Sequence, residues 1–184
     1  MRKILFLAAG CYLLISCNGK SGDSTAANTD SPTASTQKTP QPAEFADPKY
    51  VDIGKKNLAS LASGDIDNWL TAYADNARFA FSSGDSLVGK AEISKYWKDR
   101  RGNVIDSLAF DNDIWLPIKI NQPQKGPDKA GNWLLCWYHT NVRYKNGKKL
   151  SFWVHVDHHF DSTDKIDQTI EYIDRAPINK ALGK

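Results

Sequence analysis

Residues 133–145 and 148–160 are two long runs of alternating, strand-favouring residues, rich in Trp, Tyr, Phe and Val, on either side of Asn146-Gly147. Asn-Gly suits the positive φ angles of a two-residue type I′ turn, whose twist matches that of paired strands. With those two residues at the tip, Lys145 faces Lys148 and the side chains sort onto two faces. One carries Trp133, Leu135, Trp137, His139, Asn141 and Arg143 against Leu150, Phe152, Val154, Val156, His158 and Phe160. The other carries Leu134, Cys136, Tyr138, Thr140, Val142 and Tyr144 against Ser151, Trp153, His155, Asp157 and His159. Neither set is uniformly polar, so both faces of this hairpin are expected to be covered.

The elements before and after the hairpin are shorter. Tyr50, Ile53, Gly54, Leu58 and Leu61 recur at helical spacing, with Asn57 interrupting the stripe and Gly64 as the stop. Asp65 caps a second predicted helix carrying Ile66, Trp69, Leu70 and Tyr73 and ending near Asp75-Asn76. A strand over 77–81, a third helix over 91–100, a strand over 107–120 with Pro117 at an edge or bulge, and a last strand over 165–174 complete the reading. Helix, helix, strand, helix and then long strands describe an α+β domain.

Ahead of this domain, residues 1–16 combine basic Arg2 and Lys3 with an apolar core, as in a secretory leader. The run is shorter than the ~18 residues of a membrane-spanning helix. It ends Leu14-Ile15-Ser16-Cys17, which resembles the bacterial lipobox; that resemblance implies that Cys17 is lipidated, that Cys11 is discarded, and that the chain sits on the outer side of a bacterial membrane. Residues 17–47 hold one aromatic, Phe45, and no Leu, Ile or Val, and read as a flexible tether spanning roughly 30 Å. The folded part is expected over 48–178, with 179–184 a tail. A net charge of +3 over 184 residues, with both signs scattered, gives no basis for nucleic-acid binding, and three cysteines without paired spacing make no disulfide framework.

The order of elements, together with GDIDNWLTAYADNA at 64–77, SGDSLVGKAEI at 83–93 and HHFDSTDKI at 158–166, resembles the nuclear-transport-factor-2-like (NTF2-like) superfamily, and more narrowly its SnoaL-like and ketosteroid isomerase branch. The resemblance implies a cone: three N-terminal helices packed in a strongly curved antiparallel sheet. It implies that the Trp137 face lines the cavity, and that the Tyr138, Trp153 and His155 face forms a homodimer interface.

On that basis the expected ligand-binding residues are Asn57, Trp137, His139, Asn141, Arg143, Val156, His158 and Glu171. Apolar walls with a few convergent polar groups describe a small-molecule pocket. The ketosteroid isomerase set of a general-base Asp, a Tyr and a protonated Asp does not carry over, because the matching positions hold Phe81, Asn57 and Val156. If the chain is an enzyme, His139 or His158 with Glu171 supplies the acid–base pair.

Strand alternation separates His158 from His155, Asp157 and His159; Cys136 with His155 and Asp157 is a minor metal candidate, and Asp111-Asn112-Asp113 lacks the Gly and distal Glu of a calcium loop. No cofactor is implied. Two functions fit: a membrane-anchored cavity protein that binds a small apolar or amphipathic ligand or a partner protein, and a SnoaL-like isomerase, cyclase or hydratase.

Overall fold

The computed structural model describes residues 41–123, 125–126 and 129–184. The leader, Cys17 and most of the predicted tether lie outside the described residues.

The first ordered element is a short strand, β1 (Ala43–Phe45), paired with residues 118–120, so the fold begins inside the stretch read as tether. Helix α1 (Lys49–Ser63) starts where Asp47 accepts the Lys49 N–H at 2.8 Å, and it ends at Gly64, whose φ of +85° is the left-handed stop that glycine permits. Its buried face runs Tyr50, Gly54, Asn57, Leu61. Gly54 is required there: a Cβ would stand 2.4 Å from Leu134 Cδ2 and 2.7 Å from the Trp115 ring, so its absence lets α1 lie directly on the sheet.

Asp65 caps α2 (Ile66–Leu70) by accepting the Asn68 N–H at 3.0 Å. This helix stops five residues short of the expected end. The Asn57 amide donates to the Trp69 carbonyl at 2.8 Å, and Ile166 N–H takes the Ala72 carbonyl at 2.8 Å, drawing the chain into strand β2 (Tyr73–Phe81). Strand β3 (Ser86–Val88), helix α3 (Lys90–Asp99) and a π-helical turn (Arg100–Val104) lead into β4 (Ile105–Ile120), β5 (Gly131–Tyr144), β6 (Lys149–Phe160), β7 (Ile166–Tyr172) and α4 (Ala176–Leu182).

The strands form one mixed sheet in the order β1-β4-β5-β6-β7-β2-β3. Among the described strands only β2 and β7 run parallel. Extra residues in β4 at Ile105/Ser107 and Asp111/Ile114, and in β7 opposite His159/Phe160, bend the sheet around the helices. The main core is aromatic, with Trp69 against Tyr73 and Trp97, and Phe79 against Phe81 and Trp97.

The hairpin is a correction. Tyr144 N–H bonds the Lys148 carbonyl at 2.8 Å and Gly147 N–H bonds the Tyr144 carbonyl at 2.9 Å, enclosing Lys145, Asn146 and Gly147. Gly147 has a φ of +85° and Asn146 does not have positive φ, so the loop has three residues with a left-handed glycine rather than two. The added residue moves β6 by one against β5: Trp133 stands opposite His159, Trp137 opposite His155, and His139 opposite Trp153. Because alternate side chains leave opposite faces, a one-residue change regroups the whole ribbon.

Candidate functional site

The inward face of β5 consists of Leu134, Cys136, Tyr138, Thr140, Val142 and Tyr144, all buried; β6 adds Val154, Val156 and His158. Together with α1, α3, β4, β7 and α4 these strands enclose a cavity of about 290 Å³. Its wall is aromatic and aliphatic, with Tyr96, Trp97, Phe110, Tyr138, Tyr144 and Phe152 as the rings, and Ile178 and Leu182 of α4 along one side. The tail expected over 179–184 thus contributes to the cavity, through a helix started by Pro177 and stopped by Gly183.

Toward the floor the space narrows to about 20 Å³ between Asn57, Tyr73, Cys136, Val156, His158 and Thr169, which is room for about one water molecule. His158 sits there, its Nδ1 3.0 Å from the Thr169 hydroxyl, and burial pushes its pKa down to about 4, so the ring is neutral at physiological pH. The buried Cys136 thiol donates to the Val156 carbonyl at 3.2 Å and is pushed up by the same desolvation; such a thiol is a small hydrophobe, not a nucleophile.

Glu171 joins the two parts of the cavity, lining both the floor and the wide end. Burial pushes its carboxyl up to about 7, against the opposing pull of Arg100 and Arg175. Two of the lining residues, Thr140 and Trp97, each have a fully buried polar atom, Oγ1 and Nε1, that makes no hydrogen bond among the described residues.

Four of the expected ligand-binding residues are elsewhere. Trp137, His139, Asn141 and Arg143 leave the outer face of β5, where they stand opposite His155, Trp153, Ser151 and Lys149. There His139 Nδ1 lies 3.1 Å from Asp111 and its Nε2 3.2 Å from the Ser151 hydroxyl, while Asn141 donates to Asp111 at 2.7 Å. The order Ser151–His139–Asp111 is that of a hydrolase triad. The Ser151 hydroxyl, however, donates to Asn141 Oδ1 at 2.7 Å, and the group stands on an open sheet face where it ties β4, β5 and β6 together. Arg143 pairs with Asp106. Trp137 stacks on His155 at 4.3 Å and His155 on Tyr172 at 5.2 Å.

Tyr138, expected on the dimer face, is inside the cavity, whereas Trp153 and His155 are outside as expected. Cys136 points inward, away from His155 and Asp157, so the three do not converge on a metal, and no group of three His, Cys, Asp or Glu among the described residues is placed to hold one. Asn57, Val156, His158 and Glu171 remain at the cavity, with Asn57 spending its amide on the Trp69 carbonyl.

Solved structures share this fold. An NTF2-like protein of unknown function from Burkholderia pseudomallei superposes with a TM-score of 0.56 at 13% identity, over 73% of this chain and 98% of that one. The fold is NTF2-like. Other NTF2-like neighbours are a putative isomerase from Bacillus subtilis (TM-score 0.54, 18% identity, 73% and 93% covered) and a ketosteroid isomerase-like protein from Catenulispora acidiphila in complex with trimethylamine (TM-score 0.52, 10% identity, 72% and 92% covered). No protein-family model matches the sequence, and no curated protein matches it. Phe81, which the resemblance sets at the general-base position of ketosteroid isomerase, packs on Phe79 and Tyr96, and Asn57 and Val156, set at its two other positions, are buried.

Proposed function

We propose that this chain is a lipid-anchored protein of the extracytoplasmic bacterial envelope whose NTF2-like cone binds a small amphipathic molecule. The leader and Cys17 support the anchor. The binding reading is carried by the cavity of about 290 Å³, whose aromatic and aliphatic wall includes a few polar residues, Arg100, Thr140 and Glu171 among them. Apolar walls with a few polar groups are the usual make-up of a small-molecule site. The proposal excludes ketosteroid isomerase chemistry, since Phe81, Asn57 and Val156 do not titrate.

Native mass spectrometry and melting curves of the full-length chain, run with a panel of small aromatic acids, alcohols and amines, test this reading. A bound mass and a raised Tm with at least one class are expected, and an unshifted melt across the panel contradicts it.

Glu171 supports a second reading. A carboxyl that titrates near neutrality in a cavity wall is suited to moving a proton. In a SnoaL-like isomerase, cyclase or hydratase, Glu171 is the acid or base and neutral His158 its partner, with His139 excluded by its outer position; a neighbour from Pseudomonas putida carries the description putative polyketide cyclase. Under this reading Glu171→Gln abolishes turnover and leaves the fold intact.

A further inference from the structure

The cavity-binding proposal leaves the chemistry of the occupant open, and the distribution of charge on the wall narrows it. Glu171 is the one acidic side chain among the described residues of the wall, and three basic side chains, Arg100, Arg175 and Lys184, share that wall, two of them guanidinium groups. Arg175 is already engaged: its guanidinium lies 4.2 Å from the Phe81 ring and 3.8 Å from Asp85. Arg100, which follows α3 at the start of the π-helical turn, has no carboxylate within ion-pair distance among the described residues; it lies over the Tyr96 ring at 5.5 Å, and its charge acts on Glu171 from further away. A half-buried guanidinium of this kind is an anion receptor, because it offers a planar fork of donors that carboxylates match in shape and charge.

The rest of the wall sets the body of the occupant. Tyr96, Trp97, Tyr138 and Tyr144 favour flat rings, and the volume is at the lower end of the ~300–1,000 Å³ range of small-molecule sites. A cationic ligand is disfavoured by three basic side chains, Arg100, Arg175 and Lys184, against one acid.

Resting on the cavity-binding reading, we infer that the occupant is an organic anion, an aromatic carboxylate of one or two rings whose charged end pairs with Arg100. The partial protonation of Glu171 near neutral pH supports this, since the acid of the wall then repels the guest less.

Three probes of nearly one shape, naphthoate, naphthamide and naphthylmethylammonium, decide the question by calorimetric titration of the full-length chain carrying Cys17→Ala. Naphthoate is expected to bind at least about tenfold tighter than naphthamide, with the ammonium weakest. That preference should vanish in Arg100→Gln and persist in Arg143→Gln, whose arginine lies outside the cavity. The comparison of probes on the unaltered cavity needs no variant to fold. Equal binding of acid and amide, or a preference for the ammonium, overturns the anion inference while the cavity-binding reading stands; absence of binding by all three overturns both.

Discussion

His139 and His158 stand on opposite faces of the β5–β6 ribbon: His139 bonds Asp111 and Ser151 on the outside, and His158 bonds Thr169 on the inside. Of the two histidines only His158 lines a pocket with Glu171, so the proposed acid–base pair of the enzyme reading is His158 with Glu171.

The two groups make opposite demands on stability between pH 4 and 7. His158 has a folded pKa of about 4, below its unfolded value of 6.5, so the unfolded chain binds more protons in that window and stability falls as pH drops through it. Glu171 has a folded pKa of about 7, above its ordinary value of 4.5, so the folded chain binds more protons and stability falls as pH rises from 4.5 to 7. Urea titrations across this range should show near-compensation in the wild type. Glu171→Gln should expose a loss on acidification of up to about 3 kcal/mol, and His158→Gln a loss on going to neutral pH. Parallel pH profiles for all three proteins would contradict the assignment.

Binding of an anionic probe should follow the same carboxyl. Glu171 is faced by Arg100 and Arg175 and by the buried Tyr138, which stays protonated. As pH rises through about 7 the newly charged carboxylate competes for the guanidinium, so naphthoate affinity is expected to fall; in Glu171→Gln it should be flat. A flat wild-type profile would contradict this.

Gly54→Ala places a methyl group against Leu134 and Trp115, where the close approach of α1 to the sheet leaves no room. A loss of about 1–3 kcal/mol in unfolding free energy is expected from such overpacking, and an unchanged denaturation midpoint would show that α1 sits further from the sheet.

The outer face carries Trp153 at 54% exposure and Ile114 at 56%, beside the Trp137–His155–Tyr172 stack. If this face pairs two copies, sedimentation should show a dimer that dissociates in Trp153→Asp, with the monomer's melting temperature little changed. A monomer at all concentrations would remove the interface.

The anchor has its own readout. Palmitate label and membrane association should both be present in the natural chain and both be lost in Cys17→Ala; label retained without Cys17 would contradict the lipobox reading.

Much of the fold was legible because its signals are local. Gly64, Asp65 and Gly147 each mark an element end by a backbone conformation or a cap. The inward face of β5 was not legible for an equally local reason. Asn-Gly serves a two-residue turn and also the end of a three-residue loop with a left-handed glycine, and the choice between them decides which β6 residues share a face with Trp137 and His139; since both faces of β5 mix polar and apolar residues, alternation alone does not mark Cys136, Tyr138, Thr140 and Val142 as the inward set. Tyr73 fits a buried helix position as well as a buried strand position, which hid the early start of β2. Arg100 gave no pattern at all, since its place at the cavity depends on the π-helical turn that follows α3.

The central claim is that the even-numbered residues of β5 line a ligand-binding hollow, and two adjacent substitutions test it most directly. Thr140→Trp fills the cavity, whereas Asn141→Trp adds the same ring to the outer face. Calorimetric titration with naphthoate should find binding abolished in Thr140→Trp and retained within about threefold in Asn141→Trp, with both variants folded by circular dichroism. Retained binding in Thr140→Trp together with loss in Asn141→Trp would contradict the account.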